Sequence, residues 1–164
     1  MRLPLLILLF LVPWQVKAQH YTRDAGMRGG LFPGICYRQY SSDTKYSEVM
    51  LSLGKNAIRV NFLKEFVMPA FPGFSPNLHF IYGFGAHSGF SSSDHFRVLN
   101  RTYFYNNTRF SPVFGVDGYL CLEYCFHKVP FLIGIDLKPF FEYSTNQYFN
   151  LSLHDTALNL KFKF

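Results

Sequence analysis

The feature of the sequence that most constrains the fold is a strongly apolar stretch that carries charges at five positions within its apolar runs. The stretch spans residues 115–143 and reads GVDGYLCLEYCFHKVPFLIGIDLKPFFEY. Neither a soluble apolar core nor a membrane-spanning helix accommodates so many charges. The chain therefore needs a structure that separates two faces. The five charged residues are Asp117, Glu123, Asp136, Lys138 and Glu142.

The spacing of the apolar residues provides such a structure. On both sides of the HKVP segment they alternate with charged or small residues, a period of two that is typical of β-strands. The parity of the apolar positions changes across the segment, as it does in an antiparallel hairpin that pairs Phe126 with Phe131. This register also pairs Cys121 with Asp136. It puts the apolar side chains on one face and the acids and the lysine on the other.

The same alternation recurs along the chain and predicts eight strands. An eighth strand, with weaker alternation, is expected at 95–105. With this even number of strands, the GKN, SSSD and HKVP connections and both ends of the chain all lie at the same end of the barrel. The proline-rich residues 67–77 interrupt the strands. The seven clear segments are 25–40, 44–53, 57–66, 78–90, 115–126, 131–143 and 156–164.

Two architectures share this pattern, and they differ in which face meets water. A soluble barrel buries the apolar face, whereas a membrane barrel turns it outward. The 20 Phe and 11 Tyr, clustered near predicted strand ends, and the glycine-rich charged face favour the second. We therefore expect an all-β, eight-stranded antiparallel up-and-down transmembrane β-barrel with a packed polar lumen. The expected lumen charge network is Arg28, Arg38, Glu48, Arg59, Glu65, Asp117, Glu123, Asp136, Lys138 and Lys161.

Residues 1–18 have the features of a secretion signal: a positive start, an apolar run and small residues before the expected cleavage site. A retained anchor is the alternative, although the run is short for a spanning helix. Residues 19–164 are then one barrel domain. Cleavage removes Arg2 and Lys17 and lowers the formal net charge of +6 by two. The remaining excess is scattered, which argues against a nucleic-acid partner.

The three cysteines do not suggest a metal or a simple disulfide framework. Cys121 and Cys125 share a strand face about 13 Å apart at the usual strand rise, too far to bond to each other. Cys36 could pair with either only if its strand lies close by. Small thiols that fill the lumen are the simplest interpretation, so no metal or cofactor is expected.

The histidines and acids leave an enzyme as an alternative. His79 and His87 lie about 26 Å apart on one strand face and cannot share a metal. His127, Asp117 and Glu123 could form a hydrolytic site with a serine, as in a lipid-modifying membrane barrel. The sequence has no G-x-S-x-G motif, and residues of this kind in a charged lumen are usually structural. We therefore expect no enzymatic activity.

Several segments carry a family resemblance: GGLFPGICYRQY, IYGFGAHSGF, GVDGYLCLEYCF, KVPFLIGIDLKPFFEY and a last strand that ends in Phe164. In these the chain resembles the small outer-membrane β-barrels of Bacteroidota, broadly of the OmpA/OmpX type. The resemblance implies location and fold but no particular chemistry. It also implies that Phe162 and Phe164 form the signal recognised by the barrel-assembly machinery.

The leading hypothesis is therefore an integral protein of the cell outer membrane with a structural, adhesion or envelope-interaction role. Its partners would be outer-membrane lipid, the assembly machinery and an extracellular ligand bound through loops 67–77, 106–110 and 144–155. The alternatives are a soluble secreted barrel that binds a small apolar ligand and the lipid-modifying barrel enzyme.

Overall fold

The computed structural model describes residues 22–54, 56–71, 73, 75–98, 101–145 and 148–164, and for 93–98, 101–109 and 148 it describes the backbone alone. The expected signal at residues 1–18 lies outside this part. Among the described residues, no helix has the length and hydrophobicity to cross a bilayer. The strands are β1 (Arg23–Gly30), β2 (Gly34–Ser42), β3 (Lys45–Gly54), β4 (Ala57–Pro69), β5 (Leu78–Val98), β6 (Arg101–Cys125), β7 (Phe131–Leu137), β8 (Phe140–Ser144), β9 (Tyr148–Ser152) and β10 (Thr156–Lys163).

These strands form one closed antiparallel barrel of eight barrel strands, which confirms the expected all-β, up-and-down architecture. Each strand from β1 to β5 pairs with the next along the chain. Both β7 and β8 pair with β6 and together make the seventh barrel strand. The eighth consists of β9 and β10, and β10 pairs back onto β1 to close the sheet.

The predicted register of the β6–β7 hairpin is confirmed. Cys121 pairs with Asp136, and the Phe126 N–H donates to the Phe131 carbonyl at 3.1 Å. The seventh barrel strand is interrupted around Pro139, which has no N–H to donate to a ladder. The Pro139 carbonyl instead accepts from the Gly118 N–H at 2.8 Å. The register continues unchanged into β8, so the interruption does not rotate the later side chains out of the interior.

Two of the predicted strands are wrong. Residues 25–40 form two strands, β1 and β2, which pair with each other on either side of 31–33. Residues 95–105 are not a separate strand, because 95–98 end β5 and 101–105 begin β6, with Val98 paired to Arg101. One turn was missed and one strand was added, so the total of eight is correct although these two assignments are not.

These errors also misplace two of the three tight connections that were predicted at the same end of the barrel as both chain ends, whereas HKVP does lie at that end. We define the proximal end as the one where β1 begins and β10 ends, and the distal end as the opposite one. The GKN connection follows β3 and lies at the distal end, while HKVP follows β6 and lies at the proximal end. The SSSD segment lies inside β5 and is not a connection. Because the turn at 31–33 was missed, each strand after it was assigned the wrong direction along the barrel. The strand added at 95–105 corrects the direction of the strands that follow.

Two strands extend beyond the barrel at the distal end. β4 pairs with β5 only as far as Ser91, and β8 pairs with β6 only from Val113. β5 and β6 continue to pair with each other to Val98 and Arg101 and form a two-stranded arm. The three predicted binding loops therefore do not share one end: 67–77 leads into the proximal connection, whereas 106–110 lies in the arm and 144–155 includes the distal connection.

Candidate functional site

The two faces of the barrel wall have opposite chemistry. The inward side chains of Arg38, Glu65 and Lys161 are at most 1% exposed, whereas the outward Phe84 and Leu158 are at least 60% exposed. The structure buries every residue of the expected lumen network. Among the described residues, four further buried side chains of Asp, Glu or His lie outside that network, namely Asp24, His87, Glu142 and Asp155.

The proximal half of the lumen holds an ion-pair network centred on Arg38. Its Nε lies 3.1 Å from Glu48 Oε2 and its Nη2 lies 2.9 Å from Glu123 Oε2. Glu65 and Asp24 lie farther from the same Nε, at 3.4 and 3.7 Å, and Lys161 donates to Glu48. We call this the proximal cluster, and its members are Asp24, Arg38, Glu48, Glu65, Glu123 and Lys161.

Two tyrosines cover the proximal cluster on the side of the β2–β3 turn. The rings of Tyr40 and Tyr46 stack with their centroids 4.4 Å apart. The Tyr40 hydroxyl donates to Asp24 Oδ2 at 2.6 Å, and the Tyr46 ring lies 5.3 Å from the Arg38 guanidinium carbon. Both tyrosines therefore contact the cluster directly, Tyr40 through its hydroxyl and Tyr46 through its ring.

The distal half holds a second network, in which Arg28 on β1 contacts both β7 and the connection between β9 and β10. Its Nη2 lies 2.6 Å from Asp136 Oδ1, and its Nη1 lies 3.0 Å from Asp155 Oδ1. Asn159 also donates to Asp136, at 3.2 Å. We call this the distal cluster, and its members are Arg28, Arg59, His87, Asp117, Asp136, Lys138, Glu142 and Asp155.

His87 lies between two carboxylates of the distal cluster. Its Nδ1 is 3.0 Å from Asp117 Oδ1 and its Nε2 is 3.2 Å from Glu142 Oε2. Glu142 is also 2.7 Å from Arg59, whose guanidinium lies over the rings of Phe32 and Phe140. Both ring nitrogens of His87 are engaged, so neither is free to accept a proton from a hydroxyl nucleophile. The geometry makes His87 a member of the polar network of the distal cluster.

The residues of the alternative hydrolytic site are not brought together. His127 is exposed in the connection between β6 and β7 at the proximal end. Asp117 belongs to the distal cluster and Glu123 to the proximal one. Six residues along β6 separate these acids by about 20 Å at the usual strand rise.

A small apolar layer separates the two clusters. Along β4, Leu63 lies between Glu65 and Asn61, and the other residues of the layer come from β2, β3, β5 and β6. Cys36, Cys121 and the more exposed Cys125 are free thiols, which answers the open question about a disulfide. The lumen is thus divided into two charged halves with an apolar middle. We call this the apolar layer: Cys36, Met50, Leu63, Ile81, Tyr119 and Cys121.

Glycines allow the interior side chains to fit. A Cβ at Gly134 would lie 2.9 Å from Asn159 Oδ1 and 3.1 Å from Cys121 Sγ. A Cβ at Gly115 would lie 2.6 Å from the Nε2 of His87. The predicted glycine-rich inner face therefore has a steric cause. The interior of an eight-stranded barrel is narrow, and glycines on the facing strands leave space for its large charged side chains.

The interior does not offer a metal centre within the described part of the chain, where no group of three or more His, Cys, Asp and Glu side chains could hold an ion. The carboxylates mostly face arginine and lysine instead. His79, half-buried on the proximal side, does not join His87.

The four added residues differ in how visible they were in the sequence. Glu142 and His87 share the parity of predicted lumen residues on their own strands. Asp24 and Asp155 lie just outside the segments whose alternation was recognised: Asp24 is the second residue of β1, and Asp155 immediately precedes β10. Extending the inward parity by one position past each strand end would have found both.

Together the fold and the site define a class: a closed eight-stranded β-barrel with an ion-paired, side-chain-filled interior and an apolar exterior. Comparisons with protein-family models, curated proteins and solved structures find no match to this chain.

Proposed function

We propose that the chain is an integral outer-membrane β-barrel protein with a plugged lumen and a non-enzymatic structural or envelope-interaction role. The observation that carries the proposal is the inversion of the two faces. Large apolar side chains such as Phe62, Phe90 and Leu151 cover the outside, while the inward-facing basic side chains, among them Arg38 and Lys161, are buried. In water, such a continuous apolar surface promotes association, whereas in a bilayer it contacts hydrocarbon.

The dimensions of the barrel support the same proposal. β3 has 10 residues and β4 has 13, close to the 9–11 or so that a tilted strand needs to cross a bilayer. Closure between β1 and β10 pairs the edges that would otherwise be open, as hydrocarbon requires.

Aromatic side chains lie at two levels of the outer wall. At the proximal end, Phe131 packs against Phe162 with ring centroids 5.3 Å apart. Toward the distal end, Phe141 stacks on Phe149 at 5.5 Å. Rings at both margins of an apolar belt are typical of the two interfaces of a membrane barrel.

The interior supports the non-conducting part of the proposal. Two ion-pair clusters and the apolar layer between them occupy the lumen in series. The distal arm formed by β5 and β6 would project from the side opposite the chain ends, where a binding role would reside. The proposed route to the membrane has three further steps. Residues 1–18 are removed, the assembly machinery recognises Phe162 and Phe164, and the outer wall then contacts lipid.

Membrane fractionation tests the proposal. Expressed with residues 1–18 in a Gram-negative host, the protein should remain in the outer-membrane pellet after alkaline carbonate and urea washes. A soluble barrel that binds an apolar ligand would be released into the supernatant. Release of folded, monomeric protein by carbonate alone would overturn the proposal.

A further inference from the structure

The outer wall has a polar region within its apolar surface. Arg23, Gln39, Ser47 and Lys64 occupy a single register row across β1 to β4. Lys45 is exposed on the same face at the start of β3. The outward positions of these four strands carry no acid, and the nearest exposed acid along the chain, Asp43, lies in the β2–β3 turn. This side of the barrel is therefore basic near its proximal end.

A groove lies beside Lys64 on this wall. It has a volume of about 540 Å³ and runs between the projecting rings of Phe62 and Phe84. Val49 and Ala86 contribute to its apolar surface, and the small Ala86 leaves room beside Phe62, its register partner.

The groove is polar on one side and apolar on the other. Lys64 Nζ donates to Ser47 Oγ at 3.1 Å, and both residues line the groove. On β3 and β4 these two residues lie on the proximal side of Val49 and Phe62. The positive end thus faces the barrel margin, and the apolar surface extends toward the middle of the wall.

We propose that this groove binds one anionic phospholipid of the leaflet at the proximal end, an inference that rests on the proposed membrane location. An ammonium has three donors, and the bond to Ser47 uses one, which leaves two for a phosphodiester. Lys45 and Arg23 add positive field along the same margin. One acyl chain lies against Val49, Phe62 and Ala86. The polarity of the groove matches the orientation of a lipid in a bilayer.

The test uses the full barrel in nanodiscs that contain phosphatidylcholine with a minor fraction of phosphatidylglycerol. The protein is released into mild detergent, and native mass spectrometry measures retained lipid. The wild type should retain phosphatidylglycerol in preference to phosphatidylcholine. Lys64→Gln should lower that retention by about fivefold, the effect of one basic group at an anionic surface. Lys64→Arg should keep most of it.

Lys128→Gln is the matched control, because Lys128 is exposed at the proximal end in the connection between β6 and β7, away from the groove. It removes the same charge and should leave retention unchanged. Ala86→Leu keeps every charge but fills part of the groove, and it should also lower retention.

Equal losses in Lys64→Gln and Lys128→Gln would overturn the site in favour of general electrostatic attraction. Absence of any preference for phosphatidylglycerol in the wild type would overturn it as well. Failure of the wild type to enter nanodiscs would instead contradict the proposed membrane location, so the two ideas fail separately.

Discussion

Asp136 shows how a single residue holds distant strands together. It accepts hydrogen bonds from Arg28 on β1 and from Asn159 on β10 while standing on β7. Removing one partner of a buried ion pair leaves the other charge poorly compensated, which is more costly than never having buried the pair. The contribution of each lumen charge to stability therefore depends on the partners it keeps.

Asp136→Ala should lower the free energy of unfolding by roughly 3 kcal/mol, the scale for a broken buried pair. Arg28 would keep Asp155 at 3.0 Å, so the barrel should still fold. Urea unfolding in detergent or lipid measures the change. Asp43→Ala removes an exposed acid and should stay within about 0.5 kcal/mol. Equal effects of the two substitutions would remove the argument for the network.

Glu123 and Glu65 should respond differently to neutralisation. Glu123 forms a two-point contact with Arg38, at 3.2 and 2.9 Å, whereas neither oxygen of Glu65 has a hydrogen-bond partner among the described residues. Glu123→Gln should cost roughly 1.5–3 kcal/mol, the range for hydrogen bonds to charged groups, and Glu65→Gln less than about 1 kcal/mol. The same urea titration ranks them, and the reverse order would contradict the geometry.

At this scale the sequence could predict which residues face inward but not their partners. Parity along each strand assigned Arg28 and Asp136 to one face. Their pairing depends on closure between strands 108 residues apart along the chain, and alternation carries no information about that.

Among the elements, β6 offers the sharpest contrast between faces. Leu122 is 41% exposed on the outer wall, while its neighbour Cys121 is 2% exposed in the apolar layer. In lipid, Leu122→Arg should cost about 2–4 kcal/mol near the midplane. Cys121→Ser should cost much less, because a serine hydroxyl can still accept from Asn159 as the thiol does. Unfolding in lipid vesicles that ranked Cys121→Ser as the more damaging change would reverse the assignment of faces.

The elements also show why some turns were visible in the sequence and others were not. Across HKVP, the residue numbers of a pair such as Cys121 and Asp136 add to an odd number. The outward side chains therefore change from even to odd positions, and this change reveals the turn. Across 31–33, Met27 pairs with Ile35, and their residue numbers add to an even number. The outward side chains therefore stay on odd positions, and the alternation continues through the turn without a break. The same holds where β5 pairs with β6 within the barrel. Periodicity alone cannot detect a turn that preserves parity.

Considered as a whole, the barrel should conduct ions poorly. The proximal cluster, the apolar layer and the distal cluster fill the lumen one after another, and an ion would have to displace paired side chains at two levels. Purified wild-type protein in planar bilayers should give currents near background at both polarities. Flotation of the same preparation with liposomes verifies insertion. A steady, ion-selective current from inserted protein would show that the lumen is open.

The pairing of β1 with β10 has a consequence for how the chain reaches this state. Arg28 meets Asp136 and Asp155 across sequence separations of 108 and 127 residues, and Lys161 meets Glu48 across 113. A topology dominated by such distant contacts folds slowly, because chain entropy is lost before the contacts form. Until the last strand pairs with the first, the charges have no complete set of partners and the sheet keeps two unpaired edges. Biogenesis of this barrel is therefore expected to be a late, concerted closure in which ion pairing and edge pairing are completed together.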